Sequence, residues 1–452
     1  MMMYPARSGR HSRRHFLSAS GLGGMSLFWQ STLGKLAAAA SPNGTAKSVI
    51  LIFNCGAPSH IDLWDLKPEA SDRVRGPYKP IQTSVPGVEI SELMPALARH
   101  AHRFSIVRSV HHNHASHNAG MYWSIVGRPY KMDSTLINPS RNDVPSFGTL
   151  VGWLAQRDGY AGSLPPYVIT PAPHCDSLVY LTPGQFGGCL GASCDPLVLN
   201  SDPNSPSFAP PNFGPLQEVS EQRQTGRQSL LGDLGRCGIP IQAAGTRDFD
   251  INQERALSLM GSVSARDAFD LTRESPETRD RYGRHSWGQS HLLARRLVEA
   301  GVRFVTTVNG QSIIWDTHQD NFGRLEKTLA PPMERAFSTL LDDLVDRGLL
   351  DSTLVIWMGD FGRTPIINAT AGRDHWPQCY SVVMAGGGIR GGQIIGESDS
   401  TGATPKSRPV KPADIHATVF AAMGYDARSI TYHSTDGRPI PLSDGEPLRE
   451  LL

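Results

Sequence analysis

Short runs of consecutive apolar residues alternate along this chain with longer stretches whose apolar positions recur every three to four residues. Lys47-Ser48-Val49-Ile50-Leu51-Ile52-Phe53, Phe104-Ser105-Ile106-Val107-Arg108-Ser109-Val110 and Leu164-Pro165-Pro166-Tyr167-Val168-Ile169 have the short, β-rich make-up of buried strands. Val302–Val308, Thr353–Met358 and Ser381–Ala385 read the same way. Between them, Leu292, Leu293, Leu297 and Val298 share one helical face, and Gly301 is placed to end that helix. Met333, Phe337, Leu340, Leu341, Leu344 and Val345 form a second stripe that stops at Gly348, and a shorter helix is expected from about Asn118 to Val126, closed by Gly127. Helices alternating with apolar strands predict an α/β fold, a largely parallel sheet flanked by helices.

Residues of about 171–250 break this rhythm. They are rich in Pro, Gly, Ser and Asp, with little periodicity, and are expected to form a long irregular insertion over a site within a single domain spanning 41–452. The N-terminus is different again. Ser12-Arg13-Arg14-His15-Phe16-Leu17, a modestly apolar segment and Ala37-Ala38-Ala39-Ala40 follow the order of a secretory signal of the twin-arginine type. Residues 1–40 are therefore expected to be removed by cleavage near Ala40, with the product exported to the periplasm or beyond by the twin-arginine machinery. No stretch reaches 18 uninterrupted apolar residues, so no stable membrane anchor is expected. A formal charge of +1 and the lack of a basic stripe argue against nucleic acid. Six cysteines without Cys-x-x-Cys spacing argue against a disulfide scaffold or a structural zinc site.

The chemistry-bearing residues gather where strands end. Val302–Val308 leads to Asp316 and His318, Thr353–Met358 runs into Asp360 and Arg363, and Arg373-Asp374-His375 precedes Ser381–Ala385. Ligands of an open parallel sheet bind outside the carboxyl ends of its strands, so these loops are expected to meet there. Carboxylate with imidazole suits a divalent metal such as zinc or manganese. The loop after the first strand adds His60 and Asp62. The loop before the short helix adds His111, His112, His114, Ser116 and His117, beside a helix N-terminus suited to anions. Ser116 is either an ordinary N-cap or a nucleophile, and Arg363 and Arg373 are candidates to grip an oxyanion bidentately.

These residues resemble the alkaline phosphatase and sulfatase superfamily. Val355-Ile356-Trp357-Met358-Gly359-Asp360-Phe361-Gly362 is similar to that superfamily's strand ending in Asp-His-Gly, and Asp374-His375-Trp376-Pro377 to its His before a strand and a Gly-rich turn. More closely, the chain resembles the exported family called domain of unknown function 1501. The phrases Gly56-Ala57-Pro58-Ser59-His60-Ile61-Asp62, Trp315-Asp316-Thr317-His318, Gly362-Arg363-Thr364-Pro365 and Gly372-Arg373-Asp374-His375-Trp376 carry that likeness. The superfamily likeness implies a metal-dependent hydrolase. The departures are specific: Asn54 stands where the superfamily has a metal-binding Asp, Phe361 replaces an imidazole, and His117 falls at the nucleophile position with Ser116 one residue off. A one-metal site, or a differently arranged one using His60, Asp62 and the cluster from His111 to His117, is therefore expected.

The function expected is an exported, metal-dependent hydrolase of phosphate or sulfate esters, acting on a small molecule or a polysaccharide. Zinc, manganese or calcium would be held by Asp316, His318, Asp360, Asp374 and His375, with His60, Asp62 and His114 as further ligands. Ser116, His117, Arg363 and Arg373 would act on the substrate. The alternative is a non-catalytic exported protein that keeps the fold and binds a metal or a glycan.

Overall fold

A computed structural model describes residues 44–176, 180–208, 262–310 and 312–452, with isolated positions between 222 and 259. They belong to one compact unit, Asn43–Leu452. The expected signal sequence, and most of the irregular span beyond residue 208, lie outside the described residues.

Eight strands form the central sheet: β1 (Ser48–Asn54), β2 (Phe104–Val110), β3 (Tyr167–Thr170), β4 (Leu197–Val198), β5 (Phe304–Asn309), β6 (Thr353–Gly359), β7 (Tyr380–Ala385) and β8 (Ile394–Ile395). Their spatial order is β8-β2-β7-β6-β1-β5-β3-β4. β1 pairs in parallel with both β5 and β6, through partners such as Ile52 with Thr307 and with Trp357. β7 alone runs antiparallel, between β6 and β2. The two edge strands were not legible in the apolar pattern. They are two residues long, and β4 comes from the start of the irregular span, pairing in parallel with β3.

The main strands are buried along their whole length, as expected of a sheet covered on both faces. Alternate side chains go to opposite layers. Ile50, Ile52, Val305, Val355 and Trp357 join one core with Leu292, Leu293 and Leu297 of α3 (Ser286–Glu299) and Met333, Phe337, Leu340 and Leu341 of α4 (Ala330–Asp346). Val345 of the expected α4 stripe is instead 38% exposed, because the stripe drifts off the buried face near the helix end. On the other side, Phe147 of α2 (Phe147–Arg157) meets Phe304 edge-on at 5.1 Å and stacks on His416 of α5 (Pro412–Ala422) at 4.3 Å. Among the described residues no helix is long and apolar enough to cross a membrane.

Candidate metal centre

Four loops meet at the carboxyl edge of the sheet. β2 leads into α1 (His117–Val126), whose first residue is His117 and which closes at Gly127 in a left-handed conformation. Asp316 and His318 follow β5, and Asp360 follows β6 directly. His375 sits in a two-residue strand paired with Gly362–Arg363, just ahead of β7. The reversed direction of β7 is what counts here. Its start, unlike that of a parallel strand, lies at the same edge as the ends of β5 and β6.

Asp316 Oδ1 is the centre of the arrangement. It lies 3.1 Å from His318 Nε2, 3.2 Å from His375 Nε2 and 3.5 Å from His117 Nε2. The His318 and His375 Nε2 atoms are 2.9 Å apart, and the donors of His117, Asp316 and His375 all lie within 4.8 Å of one another. Each imidazole is held through its other nitrogen. His117 Nδ1 meets Asp360 Oδ2 at 2.5 Å, His318 Nδ1 meets Asp374 Oδ1 at 2.6 Å, and His375 Nδ1 meets the Ala115 carbonyl at 2.6 Å. A carbonyl or an ionised carboxylate only accepts, so all three rings carry a proton on Nδ1. When neutral, each ring turns its Nε2 lone pair towards Asp316 Oδ1.

This geometry fits a metal. A tetrahedral ion with nitrogen and oxygen bonds of roughly 2.0–2.1 Å spaces its donors about 3.3 Å apart; Asp316 Oδ1 lies 3.2 Å from His375 Nε2 and 3.5 Å from His117 Nε2, and these three donors form the group that all lie within 4.8 Å of one another. His117 Nε2 is buried without a hydrogen-bond partner, its 3.5 Å approach to Asp316 being an ion-pair contact. Two Nε2 lone pairs at 2.9 Å repel unless a proton or a cation lies between them. Imidazoles oriented by carboxylates and a carbonyl are the usual outer support of metal-binding histidines.

The electrostatics favour positive charge beside Asp316, with a proton on His117 competing with a metal. Burial alone disfavours a charged His117, but the Asp360 carboxylate, with contacts to Asp316, outweighs it and raises the imidazole to about 9. Burial also opposes ionisation of Asp316, yet His117, His375 and the Arg363 guanidinium hold its carboxyl far below the carboxylate range. Burial pushes His375 down from its ordinary value, favouring the neutral ring a metal needs. Asp374 is held low chiefly by its bond from His318.

The structure thus brings together Asp316, His318, His375 and His117, the last expected beside the substrate. Asp360 and Asp374, expected as ligands, stand one bond further out. Both Asp360 oxygens are taken, Oδ2 by His117 and Oδ1 by the Gly56 N–H at 3.1 Å. Asp62 and Arg373 are not part of the cluster. They form a fully buried pair, Asp62 Oδ2 with Nε at 2.8 Å and Oδ1 with Nη2 at 2.9 Å, while Ser59 and Asn321 also donate to Asp62. His60 Nε2 donates to the Gly402 carbonyl at 2.8 Å, so that nitrogen carries the proton. His114 packs edge-on against Trp123 at 4.7 Å and turns its Nε2 to the Tyr130 carbonyl. Ser116 is the N-cap of α1; its hydroxyl makes no cap bond, and its N–H goes to Asp133 at 2.8 Å. Asn54 bonds Asn309 and the Met358 carbonyl, within the sheet.

Two contributors escaped the sequence. The Ala115 carbonyl carries no side-chain signal at all. Phe361 stacks on His117 at 5.1 Å and lies 4.9 Å from His375, forming an apolar wall. Gly120, one turn into α1, makes room for it, since a Cβ there would stand 2.6 Å from the Phe361 ring.

Solved structures with a similar backbone are members of the alkaline phosphatase and sulfatase superfamily. They include a protein of the alkaline phosphatase superfamily from Vibrio parahaemolyticus, 10% identical over 88% of this chain and 71% of that one, with a TM-score of 0.39. The PsFucS1 sulfatase from Pseudoalteromonas sp. is 12% identical over 85% and 68%, with a TM-score of 0.37. An Mg-bound mutant of the alkaline phosphatase from the Antarctic bacterium TAB5 is 11% identical over 85% and 99%, with a TM-score of 0.36. At such identities the reaction is a matter for the side chains. No curated protein matches the chain. Residues 46–452 match the family described as protein of unknown function (DUF1501), and the chain belongs to that family.

Proposed function

We propose that this protein is a metal-dependent hydrolase of phosphate or sulfate esters, built on one divalent ion held by Nε2 of His117, His318 and His375 and a carboxylate oxygen of Asp316. The observation that carries the reading is the set of three imidazoles, each fixed through Nδ1 and converging through Nε2 on Asp316 Oδ1. Three nitrogens and one oxygen suit zinc or manganese better than calcium, which takes oxygen ligands. Such an ion supplies Lewis acidity towards an ester oxygen and acidifies water. The chain's own residues do the rest. Asp360, Asp374 and the Ala115 carbonyl orient the rings, Arg363 anchors Asp316 through Nη2 at 2.6 Å, and Phe361 keeps water off one side of His117. His318 and Asp374 are partly exposed and form the open side, where an ester of a small molecule or of a polysaccharide would enter.

The burial of Arg363 and Arg373, whose guanidiniums bond backbone carbonyls and the carboxylates of Asp316 and Asp62, favours a second reading, a protein of this fold that binds a metal or a glycan without catalysis. Metal analysis of purified protein, followed by aryl phosphate and aryl sulfate esters offered to zinc- and manganese-loaded samples, separates the two. One equivalent of metal with turnover supports the hydrolase; one equivalent with none supports the second reading, and no bound metal removes the hydrolase and the metal-binding version of the second. We further propose that the chain is exported through the twin-arginine route, which carries folded proteins and so accommodates a metal acquired beforehand. Support for this rests on Arg13-Arg14 before Phe16-Leu17 and the alanines ending at Ala40.

A further inference from the structure

Seven large apolar side chains are exposed among the described residues, and four of them, Met132, Leu136, Ile314 and Ile366, stand on three loops tied to the metal donors, between 38 and 67% exposed. Leu136 sits between Thr135 and Ile137, whose carbonyls accept from Asn118 Nδ2 at 2.9 and 3.3 Å, one residue past His117. Met132 precedes Asp133, which takes the N–H groups of Ala115 and Ser116 at 2.9 and 2.8 Å, and the Ala115 carbonyl holds His375. The Ile366 carbonyl accepts from Thr364 Oγ1 at 3.0 Å, and the same oxygen accepts at 2.9 Å from the N–H of Asp374, the partner of His318. Ile314 is two residues ahead of Asp316, and Arg324 holds its carbonyl. The polar side chains of Asn368 and Thr370, in the loop that carries Ile366, are bonded within the protein, both donating to the His318 carbonyl, at 2.9 and 2.8 Å.

Aliphatic side chains kept in water beside a ligand site gain free energy when a ligand covers them, and such patches mark binding grooves. An alkyl or aryl group makes that exchange without loss, whereas a sugar ring would set hydroxyls against methyl groups and leave them unpaired. The four residues lie beside the donors on three separate loops, a placement that ties them to the ligand of the centre. We infer, resting on the proposed metal-dependent reading, that this rim receives the organic part of the ester, and that this part is an alkyl or aryl group and not a saccharide. In the hydrolysis water adds its oxygen to sulfur or phosphorus and the ester oxygen leaves; one water proton ends on the leaving alcohol and the other on the acid product.

Binding and turnover test this separately. Zinc-loaded protein at pH 8 is titrated calorimetrically with methyl, butyl and hexyl sulfate, with the corresponding phosphates, and with glucose 6-sulfate and glucose 6-phosphate, and the same esters are assayed for hydrolysis. In the sulfate or the phosphate series, affinity should rise about ten-fold or more from methyl to hexyl, each covered methylene giving about two- to four-fold, and the hexyl ester should bind more tightly than the glucose ester. Leu136→Ser with Ile366→Ser should lower the hexyl-to-methyl ratio about five-fold and leave methyl ester binding and zinc stoichiometry unchanged, since both side chains are exposed. No ester binding, affinity independent of alkyl length, a glucose ester bound as tightly as the hexyl ester, or a length dependence that the double variant keeps in full each overturns the inference. A double variant that loses self-association in light scattering and keeps its ester binding assigns the rim to a second copy of the chain, which overturns it as well. Length-dependent binding without turnover counts against the hydrolase reading alone, and turnover without length dependence against the rim alone. Failure to bind zinc overturns both.

Discussion

Asp360 Oδ2 meets His117 Nδ1 at 2.5 Å, inside the fold and out of contact with solvent. That single bond decides which nitrogen of His117 faces Asp316. It also assigns the two aspartates different duties, Asp316 as ligand and Asp360 as the group that aims a ligand.

Replacing them should give different results. Asp316→Asn removes the anionic donor at the centre of the cluster and should abolish stoichiometric zinc binding. Asp360→Asn leaves all four donors in place but loses the carboxylate that orients His117, so zinc affinity should fall by about 10–100-fold. Competition with a chromogenic chelator measures both. Equal losses would mean that Asp360 binds the metal directly.

Arg373 and Asp62 are a different kind of pair, buried and structural. Arg373→Met leaves the Asp62 carboxylate buried beside only Ser59 and Asn321, and should cost about 3–5 kcal/mol of stability. The double change Asp62→Leu with Arg373→Met should recover part of that loss, because no charge is then left uncompensated. Urea unfolding reads the stabilities. A single variant as stable as the parent would show that the pair does not tie the loops as described.

Acid should weaken the fold before any carboxylate is involved. Burial pushes His416 down to about 4, despite a bond from its Nε2–H to the Ser124 carbonyl at 2.8 Å, and Arg128 adds to the shift. In the unfolded chain the ring takes up a proton near pH 6.5, so between about 6.5 and 4 the unfolded state binds more protons. The contribution is complete above 6.5 and is lost as pH falls through this window, by about 3 kcal/mol for this group. Urea midpoints at pH 7.5, 6 and 5 should fall more steeply for the parent than for His416→Gln, whose amide can still donate to Ser124. Parallel curves would contradict this origin of acid sensitivity.

Export makes the fourth prediction. Arg13→Lys with Arg14→Lys keeps the charge but removes the planar guanidiniums, and should leave the precursor untrimmed inside the cell. Immunoblotting of fractionated cells reads the outcome; export and trimming equal to the parent would exclude the twin-arginine route.

The strands β1, β2, β5, β6 and β7 and the helices α1, α3 and α4 could be read along the chain because their apolar periods report burial residue by residue. Asp316, His318, His117 and His375 could be named as candidates because their residue types and their places beside strand ends are local facts. Which aspartate binds a metal and which aims a histidine was not local: Asp316, Asp360 and Asp374 are alike in sequence, and only the approach of His117 and His318 from other loops separates them. The arginines were misread for the same reason. Arg363 and Arg373 stand among polar residues near a strand end, yet most of their donors go to the carboxylates of Asp316 and Asp62 and to carbonyls of residues as distant as Gly56 and Val74, which no pattern along the chain brings beside them. Periodicity settles which faces are buried, whereas hydrogen bonds between loops exist only once the sheet order has placed their ends together.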